Sequence, residues 1–235
     1  ELIDNWMDDT NCPVKVKVKK ETVKFLTEDN TFTLPKIIIP PVMHNDGNYI
    51  ISLGSFCKWL SQEAEKLGVE IYPGFAASDV LLEDKKLCGI ITSDLGLDKD
   101  GNPGPNFQPG IEIHSKYTLF AEGCRGHLGK KLMEEFNLRS DSQHQTYGIG
   151  LKELWEIKPE NANVGEVLHT IGWPLDQNTY GGSFLYHLSD NLVSVGFVIG
   201  LDYKNPFLSP YDEFQKFKTH PKIKNMFEGG RRISY

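Results

Sequence analysis

The sequence predicts an α+β chain built from two kinds of structure. A helix-like repeat stands among strand-like runs before residue 140, as in an α/β unit. After Asn137 the chain becomes a succession of strand-like runs separated by turns, as in an antiparallel sheet. The change of texture places a boundary near residue 140, giving segments 1–140 and 141–235.

The elements follow in order. Val14, Val16 and Val18 alternate with Lys15, Lys17 and Lys19, the two-residue period of a half-buried strand. From Phe25 to Asp46 the apolar residues Phe25, Phe32, Leu34, Ile37, Ile38, Ile39, Val42 and Met43 are interleaved with Pro35, Pro40 and Pro41. Prolines remove donors and block helix, so this is an apolar loop or open hairpin. Asn48–Ser52 reads as a short strand. Phe56, Cys57, Leu60, Ala64 and Leu67 then recur at helical spacing, and Gly68 is a suitable stop.

Four more strands are expected at Val69–Tyr72, Ala76–Leu82, Lys86–Thr92 and Ile111–Phe120, with a Gly-, Asn- and Pro-rich surface excursion over Asp98–Gly110. Arg125–Phe136 presents Leu128, Leu132, Met133 and Phe136 on one helical face. Tyr147–Trp155, Val164–Trp173, Gly182–His187 and Leu192–Gly200 read as strands. Pro210–Lys218 and Pro221–Phe227 read as short helices, the first opened by a favourably placed proline.

Composition narrows the function classes. The chain has 235 residues, with 39% hydrophobic and 24% charged, an ordinary globular balance. A net charge of −7 argues against a nucleic-acid partner, which needs a basic face. Cys12, Cys57, Cys88 and Cys124 form no CxxC pair and read as free thiols, so no local zinc or iron–sulfur framework is expected. The histidines show no HxH or HExxH spacing, and no GxSxG is present, so neither a metal site nor hydrolytic catalysis is expected. The start at Glu1 and the stop at Tyr235 both read as cuts through a longer protein, and no apolar run approaches the ~20 residues of a spanning helix.

Two motifs remain. In the first, an apolar run, Thr118-Leu119-Phe120, leads through Ala121-Glu122-Gly123-Cys124-Arg125-Gly126 into a helix. Glycines admit a ligand to the backbone, and a helix N-terminus offers N–H groups to phosphate or flavin oxygens; a tight turn without a ligand has the same spacing. In the second, the glycine pair of Thr179-Tyr180-Gly181-Gly182 precedes a strand. The pair exposes backbone to a flat ligand, or simply makes a turn.

The first motif resembles the second FAD-contacting signature of two-dinucleotide-domain flavoproteins, in which a strand ends in Ala-Asp/Glu-Gly. The resemblance implies cofactor-binding roles for Ala121, Glu122, Gly123, Arg125 and Gly126, and places Ala76 and Ala77 at the adenine end. A GxGxxG turn after a first strand, part of that pattern, occurs nowhere in the chain. The stretches AEGCRGHLGKKL, QTYGIGLKELW, HTIGWPLDQNTYGGSFLYHL and VGFVIGLDYKNPFLSPYDEFQ are similar to the electron-transfer flavoprotein–ubiquinone oxidoreductase family, and the likeness extends over essentially the whole chain.

That resemblance implies a partial FAD-binding α/β domain (1–140) joined to an antiparallel ubiquinone-binding domain (141–235). It further implies an FAD enzyme that passes electrons from electron-transfer flavoprotein to ubiquinone. The enzyme would be peripheral to the mitochondrial inner membrane on the matrix side, and the intact protein would carry a four-iron iron–sulfur cluster whose ligands this chain lacks. Tyr180, Gly181 and Gly182 are then quinone-binding. No residue needs to act as a catalytic acid or base in electron transfer itself. Phe25, Leu34, Ile37, Ile38, Ile39, Val42 and Met43 become membrane-contacting, flanked by Lys24 and Lys36, each able to contribute about 1 kcal/mol near an anionic surface. Read without the family, the same segment either packs under the rest of the chain or forms an exposed patch. The rival functions are a related flavin-dependent isoprenoid or lipid reductase and a non-catalytic membrane-binding module.

Overall fold

The computed structural model describes residues 3–235 and divides into two compact units, one holding the chain up to Gly68 together with Gln145–Tyr235, the other Val69–His144. Mixed α and β structure, with few helices, makes up both. In chain order the first unit begins with β1 (Val16–Lys17), β2 (Lys20–Leu26), β3 (Thr31–Thr33), β4 (Tyr49–Ile50) and α1 (Leu53–Lys66). The second contains β5 (Ala77–Glu83), β6 (Lys86–Thr92), β7 (Leu95–Leu97), β8 (Pro103–Gln108), β9 (Glu112–His114) and α2 (His127–Glu135). The first unit resumes with β10 (Gly148–Glu156), β11 (Glu166–Gly172), β12 (Gly181–His187), β13 (Leu192–Gly200), α3 (Pro210–Thr219) and β14 (Arg231–Ser234).

The larger unit is organised by a seven-stranded sheet in the order β14-β10-β13-β12-β11-β2-β3. Every pairing is antiparallel except β2 with β11, which run parallel over Lys20–Leu26 and Glu166–Gly172. The strands expected after residue 147 are present and antiparallel. The N-terminal hairpin joins them, because β2 offers one edge to β11 and the other to β3. A turn in which the Thr27 hydroxyl accepts from Asn30 N (3.1 Å) closes that hairpin.

Side chains alternate between the two faces of a strand. One face carries Leu185, Val193, Val195, Phe197 and Ile199, all essentially inaccessible, and it packs on Phe214 and Phe217 of α3. The Phe197 ring lies 6.3 Å from Phe214 and 5.6 Å from Phe217. α3 itself starts at Ser209, whose hydroxyl accepts from Asp212 N (3.3 Å), with Pro210 at the first helical position. Buried His220, just past α3, bonds through Nε2 to the carbonyl of Thr27 (2.9 Å) and ties the β2–β3 turn to this layer.

Several expectations change. The Val14–Lys19 alternation yields only the two-residue β1, and the longer strand follows it at Lys20–Leu26, where charges on both faces hide the period. After β3 the proline-broken segment winds through two short 3₁₀ turns, Lys36–Ile38 and Pro41–Met43. Val69–Tyr72 forms no strand, its side chains standing exposed. The expected strand at Ile111–Phe120 is limited to β9, and the Asp98–Gly110 excursion contains β8, paired with β7. Pro221–Phe227 gives a single 3₁₀ turn. Helix α1 occupies its expected place, capped by Ser52 and ended by Gly68 at φ +85°. The four cysteines are unbridged.

One buried ion cluster locks the sheet's outer strands to α3. Glu153 of β10, 3% exposed, accepts hydrogen bonds from Lys218 Nζ (2.6 Å), Trp155 Nε1 (2.7 Å) and Arg232 Nη1 of β14 (3.1 Å). Burial opposes ionisation of this carboxylate, yet its bonds to Lys218, Trp155 and Arg232 outweigh burial and hold it below the usual carboxylate range. A lowered native value means that the stabilisation is complete above pH 4.5 and is lost as the pH falls through that native value. Glu153→Gln strands the two cations, and urea unfolding should show a loss of about 3 kcal/mol at neutral pH. The loss should shrink below pH 4.5, and an unchanged midpoint would refute this account.

Candidate functional site

In the smaller unit, Leu128 and Leu132 of α2 pack on Val80 of β5 and so fix the helix over the strand. The turn ahead of α2 carries Ala121, Glu122, Gly123, Cys124, Arg125 and Gly126. The helix N-terminus expected to offer free N–H groups is already served from within the chain. Glu122 accepts from Leu128 N (3.3 Å) and Gly129 N (2.7 Å). A Cβ on Gly126 would meet the Glu122 side chain at 2.3 Å, so the protein's own cap explains that glycine. Gly123, at φ +74°, has open space beside it.

His127 joins the two stretches implicated above. Its Nε2 lies 3.1 Å from the Ala77 carbonyl, and its Nδ1 lies 3.4 Å from Glu122 Oε1. Ala76 is exposed and Ala77 half-buried. The region therefore presents an accessible backbone edge along 74–77 and 121–125, with Gly74 (φ +86°) as open as Gly123. Those features fit a flat, extended cofactor approaching the backbone. They do not fit a phosphate on the amides of Leu128 and Gly129, because Glu122 holds both.

In the larger unit, the sheet face turned away from α3 is only partly covered. Register places its side chains in levels across β2, β11 and β12. Phe25, Ile171 and Gly182 share one level, Val23, His169 and Phe184 the next, and Glu21, Val167 and Tyr186 the third. Phe25 (38% exposed) and Ile171 (43% exposed) leave the first level open. Gly182 lies on this face, whereas Gly181 points toward the core side, and Tyr180 is exposed.

The sheet itself requires both glycines. A Cβ on Gly182 would come within 2.3 Å of the Thr170 carbonyl oxygen, and one on Gly181 would strike the Val198 carbonyl oxygen at 2.3 Å and Leu175 at 2.5 Å.

Sequence reasoning missed a polar cluster that spans the second and third levels. His169 Nε2 lies 3.0 Å from the Tyr186 hydroxyl, and its Nδ1 lies 3.9 Å from Glu21 Oε1. Glu21 also accepts from the backbone and side-chain N–H groups of Asn45. Tyr186 stacks on Phe184 at 4.8 Å. Burial pushes the His169 imidazole down, against the pull of Glu21, and pushes the Tyr186 phenol up, so both are neutral near pH 7. The three residues stand at 21, 169 and 186, and no local spacing pattern joins them. Among the described residues no group of three or more His, Cys, Asp or Glu is placed to hold a metal ion.

The apolar segment after β3 is tethered beside this cluster. Ile37 and Val42 are more than nine-tenths exposed, and Ile38 and Met43 more than half. Ile39 instead is buried and its carbonyl bonds His44 Nε2 (3.1 Å), while Leu34 is half-buried. Phe25 adds a partly exposed ring.

Residues 147–235, which make up β10 to β14, match the family model described as ETF-QO, ubiquinone-binding. The chain is 50% identical over 238 residues to the electron transfer flavoprotein-ubiquinone oxidoreductase of Pseudomonas aeruginosa, covering all of this chain and 43% of that protein. The mitochondrial enzymes of Dictyostelium discoideum and Mus musculus are each 51% identical, with all of this chain and 38% of theirs covered. Over its whole length the chain is thus similar to electron transfer flavoprotein–ubiquinone oxidoreductases. It spans about two fifths of the length of these curated relatives.

Among solved structures, a geranylgeranyl bacteriochlorophyll reductase-like protein from Thermoplasma acidophilum aligns with TM-score 0.63 at 15% identity, over 93% of this chain and 49% of that one. The flavin-dependent brominase Bmp2 aligns with TM-score 0.58 at 17% identity, over 93% and 48%. At such identities the likeness shows the fold alone, which is α+β.

Because Gly182 faces a neighbouring carbonyl, Gly182→Ala should lower the thermal midpoint, at a cost of about 2 kcal/mol from overpacking, even with no ligand present. A midpoint within error of the parent would show that the strands part freely and that the glycine is kept for another reason.

Proposed function

We propose that this chain supplies the quinone-binding sheet, the membrane-contacting segment and part of the flavin site of an enzyme that transfers electrons from reduced electron-transfer flavoprotein to ubiquinone. The carrying observation is that the matched region 147–235 builds a sheet with one sealed face and one open face, and the open face leads to an exposed apolar segment. A long isoprenoid quinone needs both: a flat bed for its head and an apolar path for its tail.

In this reading 141–235 is the ubiquinone-binding domain and 1–140 carries the partial FAD-binding part with its hairpin, the two sharing one sheet through β2. The quinone head lies over Gly182 and Ile171, with Tyr180 and Gly181 at its margin. Ile37, Ile38, Val42, Met43 and Phe25 meet lipid, Ile39 anchors the segment from beneath, and Lys24 and Lys36 flank it. No helix among the described residues is long and apolar enough to cross a membrane. In this reading the contact is peripheral, through this segment. In a mitochondrial host that surface would be the matrix side of the inner membrane.

FAD, when bound, supplies the electron-carrying chemistry. Ala76, Ala77, Ala121, Glu122, Gly123, Arg125 and Gly126 would hold it, with Glu122 and His127 fixing the turn and Gly123 admitting the cofactor to the backbone. The four cysteines offer no shared cluster, so the iron–sulfur cluster of this reading would draw its ligands from elsewhere in the intact enzyme. An isoprenoid or lipid reductase would use a similar fold, but the identity of about one half, over all of this chain, lies with oxidoreductases named for ubiquinone.

The holoenzyme should show a flavin absorbance spectrum and reduce ubiquinone with electrons from the flavoprotein donor. Absence of both would defeat the enzyme reading and leave a membrane module. The double variant Ile37→Glu/Val42→Glu alters two fully exposed side chains and should leave the fold intact. Each lost apolar contact removes about 1.5 kcal/mol, so partition onto anionic vesicles should weaken more than tenfold. Wild-type vesicle binding in a sedimentation assay would reject this segment as the contact.

A further inference from the structure

Quinone reduction takes up two protons as well as two electrons, and resting on the ubiquinone-reducing reading, we propose that Glu21, His169 and Tyr186 form its proton-delivery chain. Tyr186 is the group that donates to the quinone carbonyl farther from Gly182.

The register places the chain where it is needed. A quinone ring carries its two carbonyl oxygens on opposite sides, about 5 Å apart from ordinary bond lengths. With one carbonyl at Gly182, the other points along β12 toward Phe184, two residues or about 7 Å away at the usual strand rise. Phe184 is the register partner of His169, and its ring stacks on Tyr186. The Tyr186 hydroxyl reaches back to His169 Nε2, so the phenol and imidazole meet beside the position of the second carbonyl. The cluster also lies on the side from which the apolar segment joins the sheet, since Asn45, just beyond Met43, is bonded to Glu21.

Each link has a defined proton. The Tyr186 O–H proton passes to the quinone oxygen as the ring accepts electrons from the reduced flavin. The His169 Nε2–H proton replaces it on the phenolate, and a solvent proton passed by way of Glu21, which faces Nδ1, is taken up at His169 Nδ1. Solvent also provides the second quinone proton. The ionisable groups facing His169 are Glu21 from β2 and Tyr186 from β12, and Tyr49 of β4 lines the small cleft of about 190 Å³ beside Tyr186. Glu21 Oε1 stands 3.9 Å from His169 Nδ1. Glu21 also tethers Asn45, but packing alone does not demand the polar groups of His169 and Tyr186, because apolar side chains would cover the sheet there without burying them.

Holoenzyme carrying Tyr186→Phe or His169→Gln would be compared with wild type in donor-driven reduction of a short-tailed ubiquinone and of ferricyanide, which takes an electron and no proton. The ratio of quinone rate to ferricyanide rate should fall about 100-fold, the usual effect of losing a positioned acid. A solvent deuterium effect should act on the quinone rate alone, and its pH profile should change shape in both variants. Tyr186→Phe keeps the stacked ring, so a His169→Gln protein that loses its flavin still leaves a decisive variant. A ratio within twofold of wild type with an unchanged pH profile overturns the proton chain. A wild-type enzyme that reduces ferricyanide and no quinone overturns the functional reading, and the chain with it.

Discussion

The parallel ladder between β2 and β11 is the constraint on which the larger unit depends. Seven residues of an N-terminal hairpin, Lys20–Leu26, are laid along Glu166–Gly172, and that pairing joins the hairpin to the sheet. A parallel pair cannot close through a tight turn, so the long intervening chain is a geometric necessity, and Val69–His144 uses it to form a compact unit of its own. His220 reinforces the ladder from the core side by bonding the hairpin turn.

The two faces of the sheet then take different tasks. Aromatic residues of α3 seal one face, and the buried Glu153 cluster clamps its outer strands. A buried carboxylate is stabilising there only because three donors compensate its lost water. The other face keeps a gradient, from the open level of Phe25, Ile171 and Gly182 to the polar level of Glu21 and Tyr186. Close packing accounts for the glycines of that bed: their hydrogens face backbone carbonyls of the adjoining strands. A flat ligand above them benefits from a surface that the sheet itself demands.

The smaller unit follows the same economy. Glu122 belongs to a signature that suggests cofactor contact, yet its carboxylate first serves as the cap of α2. The cofactor's share of the turn is thereby limited to the open backbone around Gly123 and to the edge that His127 brings alongside.

The sequence by itself determined the strands from Gly148 to Gly200, α1, α2 and α3, because their apolar periods and end signals are local. It also carries a similarity to the electron transfer flavoprotein–ubiquinone oxidoreductases that runs along the whole chain, at about half of the positions. It did not reveal β2, whose Lys20, Glu21 and Lys24 disguise a strand that is stable only between two neighbours. Nor did it separate buried Ile39 from exposed Ile37 and Ile38, since three identical side chains carry no directional signal. Only the tertiary structure decided which face of the sheet stays open, that Glu122 occupies the start of its helix, and that Glu21, His169 and Tyr186 meet. Their meeting is a consequence of strand register, which couples residues through hydrogen bonds across the sheet and leaves no mark in local spacing.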